Sequence, residues 1–168
     1  MTKDAVRPNE RFVRVAATIR DERDRLSRVV GEASQALADF AQSEPSMREL
    51  RGIGDIVHDF YTGAERIFER VAPELNGGVP AGPAWHREIL RSMTLDLPGV
   101  RPPLLGKQTE RVLDEFLRFR HLFRHSYGFE LEWTRLRPLL EQVPAAWAAL
   151  EADLESFLDF LTRAASSA

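Results

Sequence analysis

Apolar residues recur along most of this chain at intervals of three and four, the period of an amphipathic helix. From Asn9 to about Gln42 they fall at Phe12, Val15, Ala16, Ile19, Leu26, Val29, Val30, Ala33, Leu37 and Phe40, with charges on the other face, which predicts one long helix. Glu44-Pro45-Ser46 breaks it, and Ser46 with Glu49 three residues on has the form of a capping box that opens a second helix. That helix carries Leu50, Ile53, Ile56, Val57, Phe60, Tyr61, Ala64, Ile67, Phe68 and Val71, and should stop near Leu75, before Asn76-Gly-Gly. A Gly- and Pro-rich loop follows, then a short helix from about Trp85 to Leu95, then a second loop at Leu97-Pro-Gly-Val-Arg-Pro-Pro. Helical spacing resumes from Gln108 through Val112, Leu113, Phe116, Leu117, Phe119, Leu122 and Phe123 to Tyr127, where Gly128 suits a C-cap. A final pair, Glu130 to Gln142 and Pro144 to about Arg163, is divided at Val143-Pro144.

No segment alternates with period two long enough to make a strand, and no internal repeat is visible. The expectation is an all-α, single-domain bundle of five or six helices, with a core over about 10–163 and flexible ends. The short helix after residue 84 either patches the open side of the bundle or extends a subunit interface.

Bulk properties narrow the function. The chain has 168 residues, 43% of them hydrophobic, enough for one core and short for two. It has no cysteine, which excludes a disulfide framework and any thiolate metal site. The N-terminus MTKDAVRPNERF has no apolar targeting core and no stretch approaches a membrane span, so a cytoplasmic location without membrane contact is expected. A net charge of -3 argues against a dedicated duplex-DNA binder. Lys3 and Lys107 are the only lysines among 23 basic residues, so the positive charge is nearly all arginine. That suits bidentate phosphate pairing, although compositional bias in the coding sequence explains it better.

The densest run of functional side chains is Arg118-Phe-Arg-His-Leu-Phe-Arg-His-Ser-Tyr127. On a helix, His121 and His125 stack on one side, Arg120 and Arg124 stack beside them, and Tyr127 falls near the two arginines. This flank looks too polar for ordinary burial. One chemistry these types support is cleavage of an RNA phosphodiester, with histidine moving the proton of the 2′-hydroxyl or of the leaving oxygen and arginine stabilising the phosphoryl charge. It needs no metal or other cofactor, and DNA, lacking the 2′-hydroxyl, should survive.

Spacing alone proves little, because Arg51 and His58 also stand in an Arg-x6-His relation without any expected role. On the residues alone, Arg120, Arg124 and His125 read better as a solvated face pairing with Asp114, Glu115, Glu130 or Glu132 than as a catalytic group. The i,i+4 histidines resemble half a metal site, but no acidic ligand follows at a suitable spacing. His58, Tyr61 and Glu65 share a helix face that could approach this run but reads better as a hydrogen-bonded packing cluster, Trp85, Trp133 and Trp147 read as core or interface anchors, and His86 receives no role.

The run Arg120-His121-Leu-Phe-Arg-His125-Ser-Tyr127 resembles the motif of the HEPN superfamily, and within it of HepT-like ribonuclease toxins: Arg, a polar residue, three residues, His, one residue, Tyr. The stretch His58-Asp-Phe-Tyr-Thr-Gly-Ala-Glu-Arg-Ile-Phe68 is similar to the second helix of such proteins, and Phe119 to Arg137 looks like one branch of them. The resemblance covers roughly residues 10–160. It implies an α-helical homodimer whose shared cleft forms a metal-independent endoribonuclease, with Arg120 and His125 catalytic and His121 and Arg124 supporting. His121 stands where an Asn is more common in the family. The resemblance also implies a nucleotidyltransferase antitoxin that adenylylates Tyr127. The alternative is a non-catalytic dimeric helical module that binds a nucleotidyltransferase or a nucleotide through the same arginines.

Overall fold

The computed structural model describes the backbone of residues 8–125 and 131–167, with side chains over 10–124 and 131–167. Among the described residues it contains five helices, α1 (Pro8–Asp39), α2 (Met47–Leu75), α3 (Trp85–Ser92), α4 (Lys107–His125) and α5 (Trp133–Ser166), and no strand. The all-α expectation holds, and none of the helices is long and apolar enough to cross a membrane.

α2 lies at the centre, packed against every other helix. Its start follows from Ser46: the Glu49 amide donates to the Ser46 hydroxyl, and the Ser46 amide donates to the Glu49 carboxylate at 2.7 Å, the reciprocal bonds of a capping box. The Ser46 hydroxyl and amide together hold the Glu49 carboxyl below its ordinary range. From there the stripe Leu50, Ile53, Val57, Phe60, Tyr61, Ala64, Ile67, Phe68 and Val71 is buried throughout. Two glycines on α2 let neighbours approach closely. A Cβ on Gly63 would come within 2.6 Å of Leu26 on α1, and one on Gly54 within 2.8 Å of Phe123 on α4. α1 runs along both α2 and α5, while α4 lies on α2 with the Phe60 and Phe116 rings edge to face at 5.0 Å.

The loop between α3 and α4 is pinned by a buried arginine. Arg101 donates to the Asn76 side chain at 2.7 Å and to the carbonyls of Ser92, Leu95 and Pro102 at 2.8–3.0 Å. Asn76 caps the C-terminus of α2, so a single guanidinium fastens the end of α2 to the end of α3 and fixes where α4 begins. Burial lowers the pKa of that guanidinium, with the negative charge of Asp96 pulling the other way.

The expected division at Val143-Pro144 is corrected: residues 133–166 form one helix with Pro138 and Pro144 inside it. A proline in a helix removes one intrahelical hydrogen bond and costs about 3 kcal/mol. Against this, Leu136, Leu140, Val143, Trp147, Leu150, Leu154, Phe157 and Leu161 form an unbroken buried stripe across both prolines. Several large side chains, each worth roughly 1.5–3 kcal/mol when buried, outweigh two such losses.

Candidate functional site

The buried stripe of α4 passes through Leu113, Phe116 and Leu117, and the next position at the same spacing is Arg120. The helix therefore turns its motif arginine inward. Arg120 is 5% exposed, contrary to the expectation that this flank is too polar to bury. What receives it is Glu65, which occupies the equivalent place on the buried stripe of α2 between Tyr61 and Phe68 and is 2% exposed. The Arg120 Nη2 to Glu65 Oε2 distance is 3.2 Å.

His86, the second residue of α3, closes the group. Its Nδ1 lies 2.7 Å from Glu65 Oε1, and its Nε2 faces Arg120 Nη1 at 3.4 Å. A guanidinium only donates and a carboxylate only accepts, so these partners assign the neutral tautomer: Nδ1–H donates to Glu65 and Nε2 presents a lone pair. The Trp85 ring packs on the imidazole with centroids 3.7 Å apart. Burial raises the pKa of the Glu65 carboxyl, with His86 and Arg120 pulling the other way. Burial also pushes the Tyr61 phenol up, helped by the negative charge of Glu65. Among the described residues the Tyr61 hydroxyl and Arg120 Nε make no hydrogen bond.

Outside this ring, a groove of about 440 Å³ opens between α3 and α4. His86, Arg87, Arg118 and His121 line it together with the apolar Leu117 and Leu122. Asp114 ties its walls together, 2.6 Å from Arg118 and 3.5 Å from Arg87. Arg118, His121, Leu122 and Arg124 are all exposed on the outer side of α4. Behind them Phe123 packs between Phe119 and His58, at 5.5 and 5.6 Å between ring centroids.

The five sequence candidates thus divide. Arg120 is interior, while His121 and Arg124 are exposed on α4. His125 is the last residue of α4, and its side chain, like Tyr127 and the proposed cap Gly128, lies outside the described residues. Two members of the site, Glu65 and His86, were not assigned to it from the sequence. Glu65 carried a usable mark, since a carboxylate on an apolar stripe demands a partner; His86, in a short segment beside a loop, carried none. The alternative of a solvated face pairing with Asp114, Glu115, Glu130 or Glu132 does not hold for Arg120, which is buried against Glu65, while Asp114 pairs with Arg118 and Arg87. Among the described residues no group of three or more His, Asp or Glu side chains is placed to hold a metal ion.

Chemically, the group offers one buried fixed cation, a carboxylate that compensates it, and an imidazole on the wall of a groove with a basic rim, its Nε2 lone pair held only by the 3.4 Å contact to Arg120. That is the equipment of an anion or nucleotide site with proton-transfer capacity. No curated protein and no solved structure shows significant similarity to the chain. A family model described as HepT-like protein matches residues 52–161, a span that takes in Glu65, His86 and the whole of α4. The chain belongs to the HepT-like proteins of the HEPN superfamily.

Proposed function

We propose that the protein is a metal-independent endoribonuclease of the toxin type, cutting RNA by attack of a 2′-hydroxyl on the adjacent phosphodiester. In this reading Arg120 and His125 are catalytic, His121 and Arg124 support them, and a second copy of α4 completes the site across a homodimer. The observation that carries it is the family match, which includes the whole of α4. The exposed basic face of Arg118, His121 and Arg124 beside the groove supports an anionic substrate. Histidine is suited to the proton transfers at neutral pH, and arginine to the charge that grows on the phosphoryl oxygens. Control comes from a nucleotidyltransferase antitoxin that transfers AMP to Tyr127, placing a bulky anion beside the arginines and blocking RNA.

One observation favours a second reading, a non-catalytic dimeric module that binds a nucleotidyltransferase or nucleotide: Arg120 is buried and already neutralised by Glu65. The two separate in a cleavage assay on RNA in EDTA, using protein whose intact mass shows no added AMP. The ribonuclease reading predicts cleavage by wild type and its loss in His125→Ala by about 100-fold or more. Cleavage that persists in His125→Ala removes the site assignment, and absence of cleavage by unmodified wild type favours the binding module. Arg120→Ala is a poor probe, because unpairing buried Glu65 costs roughly 3–5 kcal/mol. Arg120→Lys keeps the charge and loses only the planar fork, so it should fold and cleave more slowly.

A further inference from the structure

Breaking an RNA strand by transphosphorylation moves two protons, one off the 2′-hydroxyl and one onto the departing 5′-oxygen. The proposed function brings His125 from each of two chains to these tasks, and names no histidine outside α4. A second imidazole stands beside the motif arginine, on a different helix. His86 is held by the 2.7 Å bond from Nδ1 to Glu65, and its ring is braced by Trp85. This leaves Nε2 as an acceptor with its side chain 24% exposed on the wall of the α3–α4 groove. A buried carboxylate that fixes the tautomer of an imidazole and supports the cation formed when it takes a proton is the arrangement found behind general bases. At 3.4 Å, the Arg120 contact on Nε2 is long enough for a substrate hydroxyl to displace.

We propose, resting on the ribonuclease reading, that His86 is a further catalytic residue: the base that takes the 2′-hydroxyl proton of a ribonucleotide seated in the α3–α4 groove. The groove commits to a ribonucleotide through charge complementarity, with two arginines, Arg87 and Arg118, sharing the one carboxylate of Asp114 and so keeping a positive excess for phosphate, and with Leu117 and Leu122 in its lining for the base or sugar. In the step, the 2′-hydroxyl proton passes to His86 Nε2 as the 2′-oxygen bonds to phosphorus. The bond from phosphorus to the 5′-oxygen breaks, and that oxygen takes a proton from His125. The products are a 2′,3′-cyclic phosphate and a 5′-hydroxyl, and His86 and His125 exchange their protonation states. The groups against His86 are Glu65 from α2, Trp85 from its own helix and Arg120 from α4, and Arg87 and His121 line the same groove.

The test compares wild type, His86→Gln, His86→Ala and His125→Ala on two substrates, an RNA oligonucleotide and uridine 3′-(4-nitrophenyl phosphate), whose leaving group departs without a proton. A glutamine amide can donate to Glu65 and accept from Arg120 as the imidazole does, yet it cannot take a proton. Expected are losses of about 100-fold or more for both His86 variants on both substrates. His125→Ala should lose RNA cleavage and recover on the activated ester, and melting curves should show His86→Gln folded like wild type. Near-wild-type activity of His86→Gln, or recovery of the His86 variants on the activated ester, would overturn the assignment while leaving the ribonuclease reading intact. Silence of unmodified wild type on both substrates overturns both together.

Discussion

Removing a guanidinium from water costs several kcal/mol, on the order of what a small domain can spare, unless a well-placed counter-charge compensates. Arg120 and Glu65 meet that condition at 3.2 Å, and the balance is visible in Glu65, whose carboxyl is shifted upward by burial despite its two partners. The folded protein therefore binds a proton at Glu65 more readily than the unfolded chain, whose ordinary value is 4.5. In the pH window above 4.5 the native state holds more protons, so Glu65 contributes stability that grows as pH falls through that window. Urea unfolding from pH 7 down to 4.5 should show the stability of wild type rising relative to Glu65→Gln as the pH falls; a difference that shrinks would reverse the sign. The motif of α4 was legible as a run of residue types, but its orientation was not. Arg120 meets its partners across separations of 34 positions to His86 and further to Glu65, and local spacing carries no information about those meetings. The continuation of Leu113, Phe116 and Leu117 to Arg120 did point inward, and the polarity of the surrounding run hid it.

At the scale of the element, α2 sets where α4 sits, and of the glycines Gly52 and Gly54 only the second takes part. Gly52 is exposed and a Cβ there meets nothing within 4 Å, so Gly52→Ala should gain helix propensity and raise stability by up to about 1 kcal/mol. At Gly54 the same gain is opposed by contacts of 2.8 Å to Phe123 and 3.1 Å to Leu131. Overpacking of this kind costs roughly 1–3 kcal/mol, so Gly54→Ala should lower stability and displace the end of α4. Thermal melts of the two variants check the opposite signs. The start of α2 was readable to the residue because a capping box is a local device, and α1, α3 and the start of α4 agree with their expected bounds to within a few residues, the expected end of α4 at Tyr127 lying outside the described residues. The last helix was misjudged because a local breaker, Pro144, was weighed above the continuous apolar period that carries α5 past it. Where a breaker and a sustained buried stripe conflict, the larger summed burial energy decides.

For the molecule as a whole, one cluster of buried side chains extends through all five helices, and α4 shows its outer side, with Arg118, His121, Leu122 and Arg124, to solvent. Leu122 is 49% exposed among those charges. The proposed chemistry uses the substrate's own 2′-hydroxyl, and that requirement can be tested without knowing the natural RNA. The decisive measurement is the initial rate at which unmodified wild type, in EDTA, cuts an RNA oligonucleotide and the same sequence with every 2′-hydroxyl replaced by hydrogen. The account predicts cleavage of the first, with 2′,3′-cyclic phosphate ends, and survival of the second; cutting of both at similar rates, or 5′-phosphate ends, would contradict it.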